Sequence, residues 1–200
     1  MNLDGLFPTI PRHVLDQLPT TRGSFQLTNP LRLAHFLAQC SHESGGFVFT
    51  RENLNYSASR LEKIFPKYFN KHNSKLYARN QEAIANKVYG NRMGNVEITD
   101  GWKFRGRGYI QLTGKANYAE LDRFVVEDLL ENPDLVASKY ALLSAGFYWD
   151  KRKINAIADK GATKEIVREV TIKVNGGTHG LEDREARFFA IHKILTAPTV

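Results

Sequence analysis

The sequence predicts a mainly α-helical fold with at most one small β-hairpin. Three observations carry that expectation. Helix start and stop signals recur along the chain, from Thr28-Asn29-Pro30 to Asn175-Gly176-Gly177. Two segments, residues 31–40 and 142–149, are apolar nearly all round, as buried helices are. Strand patterns are scarce, with one weak alternation over residues 102–113.

At 200 residues the chain reads as one domain over 1–200, with room for two lobes. Its 42% hydrophobic and 24% charged residues are ordinary for a folded protein, so no disordered tract is expected. The formal net charge of +7 is spread along the chain rather than gathered in one run. That predicts broad attraction to a polyanion: nucleic acid, an anionic membrane or an anionic cell wall. One cysteine, Cys40, excludes an internal disulfide and fits folding in a reducing compartment. Beside Leu37, Ala38 and Gln39 it reads as a small buried hydrophobe. The first residues show neither a basic leader nor an apolar run, so no signal peptide is expected. No stretch is long and apolar enough for a transmembrane helix or stable membrane insertion.

Taken in order, residues 12–17 read as a short helix between two breakers, Pro11 and Pro19, with a turn at Gly23. Asn29-Pro30 starts the buried helix that stops at Gly45-Gly46. Ser59-Arg60-Leu61-Glu62 matches a capping box ahead of Leu61, Ile64, Phe65, Tyr68 and Phe69, with a bend at Pro66. Residues 73–88 read as one helix ending at Tyr89-Gly90. Residues 90–108, rich in Gly, Asn and Asp, read as a long functional loop. Residues 102–113 read as an irregular β-like segment. Helices are expected at 115–124, 138–149, 163–174 and 181–195, with a turn at Asn132-Pro133-Asp134.

Chemistry concentrates in residues 39–56, where Glu43 and Glu52 flank Gly45-Gly46. Glu43 ends a helix whose apolar face enters the core. Desolvation there, and the negative end of the helix dipole, favour a protonated carboxyl, which a general acid needs. Glu52 lies among Arg51, Asn53 and Asn55, which favour the ionised form, as a base requires. Two carboxyls in unlike settings suit hydrolysis of a glycosidic bond. Asp100 and Glu97 are competing carboxylates. A third feature is Gly106-Arg107-Gly108-Tyr109-Ile110-Gln111-Leu112-Thr113-Gly114. If extended, it turns Tyr109, Gln111 and Thr113 to one side, where an amide and hydroxyls suit a sugar or a water. It lacks the Lys-Ser/Thr ending of a phosphate-binding loop. The six histidines show no metal spacing, so no metal and no cofactor is expected. All six read as core or surface histidines, with His42, beside Glu43, the one candidate to support it.

These residues resemble the glycoside hydrolase family 19 catalytic domain, and more closely its phage and bacterial endolysin branch. The matching pieces are Ala34-His35-Phe36-Leu37-Ala38-Gln39 leading into His42-Glu43-Ser44-Gly45-Gly46-Phe47; Glu52-Asn53-Leu54-Asn55-Tyr56-Ser57; Phe104-Arg105-Gly106 through Thr113-Gly114; and Asn175-Gly176-Gly177. The resemblance implies a lysozyme-like, two-lobed α-helical domain with a catalytic cleft and inverting hydrolysis of β-1,4 bonds between amino sugars. It makes Glu43 the general acid, Glu52 the base and Thr113 a holder of the attacking water. Gln111, Tyr109 and Asn175 fall to substrate binding, together with Arg187, which also enters a charge network with the acid. Tyr109 stands where plant members have proline, and Ala116 where they have a sugar-binding tyrosine.

The expected substrate is bacterial peptidoglycan, cut between N-acetylmuramic acid and N-acetylglucosamine by a monomeric endolysin. The enzyme is expected to be made in the host cytoplasm, released by a separate holin-type protein, and to act on the periplasmic wall without a wall-binding domain of its own. Chitin hydrolysis and lytic transglycosylation are the alternatives. Aromatics beside basic residues, Tyr109 near Arg107 and Trp102 near Lys103, raise nucleic-acid binding as a further class; no nucleic-acid partner is expected.

Overall fold

The computed structural model describes residues 1–198 and is mainly helical. The α-helices, in chain order, are α1 (Arg12–Leu15), α2 (Leu18–Ser24), α3 (Pro30–Glu43), α4 (Ala58–Ile64), α5 (Ser74–Tyr77), α6 (Gln81–Tyr89), α7 (Asp100–Lys103), α8 (Lys115–Asp122), α9 (Ala141–Lys151), α10 (Asn155–Ala158), α11 (Lys164–Asn175) and α12 (Leu181–Thr196). Short 3-10 turns occupy Asp4–Leu6 and Pro133–Ala137. Extended pairing among the described residues is limited to two isolated bridges, Arg51 with Arg107 and Arg107 with Leu112.

The chain divides into two compact units. Unit one comprises Met1–Thr50, Gly108–Ile110 and the chain from Ser138 onward. Helix α3 runs through its core. The Asn29 side chain caps α3 by accepting from the Arg32 N–H at 2.9 Å, and Pro30 opens its first turn. Every residue from Leu33 to Ser41 is buried. A helix buried all round needs partners on every side, and α9, α10, α11 and α12 supply them. Trp149 on α9 meets Phe36 edge-on, with ring centroids 5.5 Å apart, and donates from Nε1 to Asn155 Oδ1 at 2.8 Å. Cys40 is buried, as its apolar neighbours predicted. After Glu43 the chain takes left-handed φ values of 60° at Gly45 and 78° at Gly46, which glycine adopts at little cost, and α3 stops.

Unit two comprises Arg51–Arg107 and Gln111–Ala137. Its core gathers Leu54, Leu61, Phe69, Ile84, Ala85 and Val88, with Tyr56, Phe65, Tyr68, Tyr77, Tyr89 and Trp102 packed against them. Arg107 is 2% exposed and fastens three segments: it donates to Asp134 Oδ1 at 2.8 Å, to the Lys103 carbonyl at 2.8 Å and to the Tyr118 hydroxyl at 3.1 Å. Burial alone would push Asp134 up, but Arg107, with Arg51 and Arg105, holds its carboxyl below the usual range.

Several local expectations are corrected. Pro19 does not break a helix, because it occupies the first turn of α2, where its missing N–H costs nothing; Gly23 lies inside the same helix. The cap of α4 is Ser57, which accepts from the Arg60 N–H, not Ser59. Glu62 is not a cap: it accepts from the Ser74 hydroxyl at 2.6 Å. The expected helix over 73–88 is two helices, because Arg79 takes a left-handed φ of 66° and Asn80 caps α6 through the Ala83 N–H. The loop over 90–108 contains α7. The alternation over 102–113 fails as well: α7 covers its start and Gln111 takes φ 54°. The face supposed to carry Tyr109, Gln111 and Thr113 together therefore does not form.

Candidate active site

Of the residues singled out for chemistry, Glu43, Tyr109, Asn175 and Arg187 lie in unit one, and Glu52, Gln111 and Thr113 in unit two. Each unit builds a carboxylate centre.

In unit one, Glu43 closes α3 with a side chain 27% exposed. Its Oε1 accepts from Arg184 Nη2 at 2.6 Å. Arg184 is 1% exposed, and all three of its guanidinium nitrogens donate: Nε to the His179 carbonyl at 3.1 Å, Nη1 to Gln39 Oε1, and Nη2 to Glu43. Gln39, fully buried, donates onward to Thr171 Oγ1 at 3.1 Å, and the Thr171 hydroxyl donates to the Val167 carbonyl at 2.8 Å. A buried cation is tolerated only when paired and fully hydrogen-bonded, and this chain meets that demand. It fixes one oxygen of Glu43 relative to α3, α11 and α12.

To the expected setting of Glu43, at the end of a helix whose apolar face enters the core, the structure adds a buried guanidinium that faces it. The network partner is also Arg184, not Arg187. Arg187, three residues on, donates from Nε to Asp183 Oδ2 at 2.7 Å and from Nη1 to Ser41 Oγ at 2.7 Å. Asp183 Oδ2 lies 2.6 Å from His42 Nδ1, so Arg187 and His42 converge on one carboxylate beside Glu43. The Arg187 hydrogen bond, then His42 and the Arg187 charge, outweigh burial and hold Asp183 below the usual carboxylate range.

Tyr109 does not reach solvent. It is 1% exposed and packs edge-on against Phe47 with centroids 5.1 Å apart, so its sugar-binding assignment gives way to a packing role. Burial raises its phenol to about 12. Asn175 ends α11 and is exposed, followed by Gly176 in the left-handed region at φ 78°.

In unit two, Glu52 sits against the backbone of Gly106. Its N–H donates to the Gly106 carbonyl at 3.0 Å, and the Gly106 N–H donates to Glu52 Oε2 at 3.2 Å. A Cβ at position 106 would lie 2.8 Å from Gln111 Oε1 and 3.2 Å from Glu52 Oε2, so a larger residue there would displace the Gln111 amide and press on Glu52. The Tyr89 hydroxyl donates to Glu52 Oε1 at 2.5 Å. Burial, with Glu52 beside it, holds the Tyr89 phenol far above its ordinary value, so it remains a donor. Glu52 is thus a carboxylate with a donor on each oxygen. Thr113, half-buried, donates its hydroxyl to the Gln111 carbonyl at 2.9 Å, which leaves oxygen lone pairs able to accept from a water.

The rival carboxylate Asp100 is 3% exposed and already engaged. It accepts from the N–H groups of Val96 and Glu97, each at 3.0 Å, and from Lys115 Nζ at 3.2 Å. Burial works to raise it, yet these donors hold it below its ordinary value. It braces the Gly-rich loop.

Comparison with known proteins fixes the family. The glycoside hydrolase family 19 model, described as "Chitinase class I", matches residues 19–156. A Haemophilus influenzae protein described as "Glycosyl hydrolase family 19 domain-containing protein" is 40% identical over 184 residues, covering 90% of this chain and 88% of that one. The chain belongs to glycoside hydrolase family 19. Rice "Chitinase 3" is 29% identical over 182 residues, covering 80% of this chain and 52% of its own length. A bacterial family 19 chitinase structure superposes with a TM-score of 0.61 at 22% identity, covering 98% of this chain and 94% of that one. Chitinase C from Streptomyces griseus gives 0.59 at 22% identity, covering 99% and 77%. These structures establish the family 19 α-helical fold for this chain.

Arg184, Gln39 and Tyr89 are the site residues that sequence reasoning missed. Gln39 and Glu43, at i and i+4, share one face of α3, and Arg184 and Arg187, at i and i+3, share one face of α12. Those spacings were the available signal. Tyr89 had none, since 37 positions separate it from Glu52.

Proposed function

We propose that this family 19 hydrolase cleaves the β-1,4 bond between N-acetylmuramic acid and N-acetylglucosamine in bacterial peptidoglycan, acting as an endolysin. The observation that supports the mechanism is that each carboxyl is held by fixed donors, Glu43 by Arg184 and Glu52 by Tyr89 and the Gly106 N–H. Glu43 as acid gives its proton to the glycosidic oxygen, and the Arg184 guanidinium stabilises the carboxylate left behind. Glu52, with Tyr89 and Gly106 donating to it, takes a proton from the water that attacks the anomeric carbon from the opposite face. The water's second proton points to the Thr113 oxygen. Gln111 and Asn175 bind sugar. The net charge of +7 supports an anionic wall as target over uncharged chitin. Synthesis in the host cytoplasm, release by a separate holin-type protein and action as a monomer belong to the same reading.

Chitin hydrolysis is the second reading, favoured by the chitinase names of several relatives. Digestion of purified peptidoglycan and of chitin oligomers, followed by mass spectrometry, separates the two. Muropeptides with reducing N-acetylmuramic acid ends are expected. Release from chitin alone overturns the proposal, and anhydro-muramyl ends would replace hydrolysis by transglycosylation.

A further inference from the structure

Unit two carries a polar recess of about 520 Å³ lined by Asn53, Asn55, Tyr56, Ser57, Arg60 and Arg79. It begins at the residue bonded to Glu52, within about 4 Å of chain from the proposed base. Asn53 and Asn55 are exposed on either side of fully buried Leu54, so Leu54 anchors the segment and the amides face outward. The recess is held in place from its far side. Arg79 donates its backbone N–H to the Tyr56 carbonyl at 2.9 Å. Its Nη1 donates to the Asn55 carbonyl at 3.1 Å and to Asn55 Oδ1 at 3.3 Å. The Arg60 guanidinium stands 5.8 Å from the Tyr56 ring centre.

Two guanidiniums and no carboxylate line this recess. Arg32, Arg107, Arg184 and Arg187 each meet a carboxylate within 2.8 Å. Arg60 and Arg79 form no ion pair among the described residues, and no Asp or Glu lines the recess. Two guanidiniums in one concavity repel each other and favour an incoming anion, and their planar forks match a carboxylate. The surrounding amides and hydroxyls suit peptide groups.

We propose that this recess binds a carboxylate of the peptide stems carried by muramic acid, and so selects stem-bearing glycan over chitin, which has neither peptide nor charge. The inference rests on the peptidoglycan reading above. It assigns Arg60 and Arg79 to the substrate's peptide rather than to its sugar.

The test uses the full chain carrying Glu43→Gln and the soluble tetrapeptide L-alanyl-D-glutamyl-meso-diaminopimelyl-D-alanine. Calorimetric titration is expected to show saturable binding, weakened about tenfold by adding Arg60→Gln and Arg79→Gln. Active enzyme with the same pair should lose its preference, read as a ratio of kcat/KM, for stem-bearing over stem-free glycan. Arg60 makes no side-chain hydrogen bond among the described residues, so Arg60→Gln alone keeps the test decisive if the pair misfolds. No peptide binding, or equal binding with and without the arginines, overturns the proposal. So does inorganic phosphate competing as well as the peptide, which marks an unselective anion recess. Binding is read without turnover, so failure of the cleavage reading shows separately, as peptidoglycan left intact by the unsubstituted enzyme.

Discussion

Arg184 donates to Glu43 at 2.6 Å across 141 positions of sequence, from a guanidinium 1% exposed. The pair separates two roles that one substitution series can resolve. Glu43→Gln keeps an oxygen able to accept from Arg184 but removes the charge that balances this buried guanidinium, so the unfolding free energy should fall by about 1.5–3 kcal/mol. Turnover should fall by about 10³-fold or more, since the donated proton is gone. Arg184→Met instead strands Gln39 and Glu43 and should cost about 3 kcal/mol. Urea titration beside a lysis assay checks both; a Glu43→Gln chain that retains activity removes Glu43 as the acid.

Tyr89 and Gly106 hold the two oxygens of Glu52. Glu52→Gln should lower kcat by about 10²–10⁴-fold with little change in KM, because the lost step is proton transfer rather than binding. Tyr89→Phe removes one donor and should lower kcat about tenfold while costing about 1 kcal/mol in stability. Steady-state kinetics on peptidoglycan check the split. A nearly full rate in Glu52→Gln would move the base elsewhere, and Asp100, spent on Lys115 and two backbone amides, would be a poor replacement.

How much of this was legible in the sequence depended on the range of the forces involved. The helix of Pro30–Glu43 could be read because its cap, its first-turn proline and its terminating glycines all lie within a few residues of its ends. The split at Arg79 could not, because the left-handed residue there is an arginine rather than a glycine. Glu43 and Glu52 stood out by residue type and neighbours. Their partners Arg184 and Tyr89 are set by tertiary packing, which carries no local period. Tyr109 misled for a related reason: weak alternation suggests an exposed face, but a left-handed Gln111 ends the extended run just after it.

The proposed inverting mechanism predicts the stereochemistry of the product. With Glu52 as the proposed base and Glu43 as the proposed acid, a β bond should give an α-anomer first. Proton NMR of the anomeric signals in the first minutes, before mutarotation, reads this directly. An initial β-anomer would demand a covalent intermediate and a nucleophilic carboxylate, and Glu52 would then have the wrong role.

His35 makes the stability of unit one depend on pH. It is fully buried, stacks on Phe188 with centroids 4.0 Å apart, and lies with Nε2 3.0 Å from the Gly161 carbonyl. Its Nδ1 has no partner, so the neutral ring donating from Nε2 is the form that fits. Burial lowers the imidazole to about 4, opposed by the Gly161 hydrogen bond and assisted by the nearby charge of His192. The unfolded chain protonates near 6.5. The stabilisation is therefore complete above about pH 6.5 and is lost as the pH falls towards about 4, where only the unfolded chain has gained a proton. The loss should reach about 3 kcal/mol. His35→Gln keeps an amide donor for Gly161 but cannot titrate. The difference in urea midpoint between parent and variant should shrink steadily from pH 7 to pH 4.5, while the carboxylates common to both cancel. A constant difference across that range would mean that His35 is protonated in the fold.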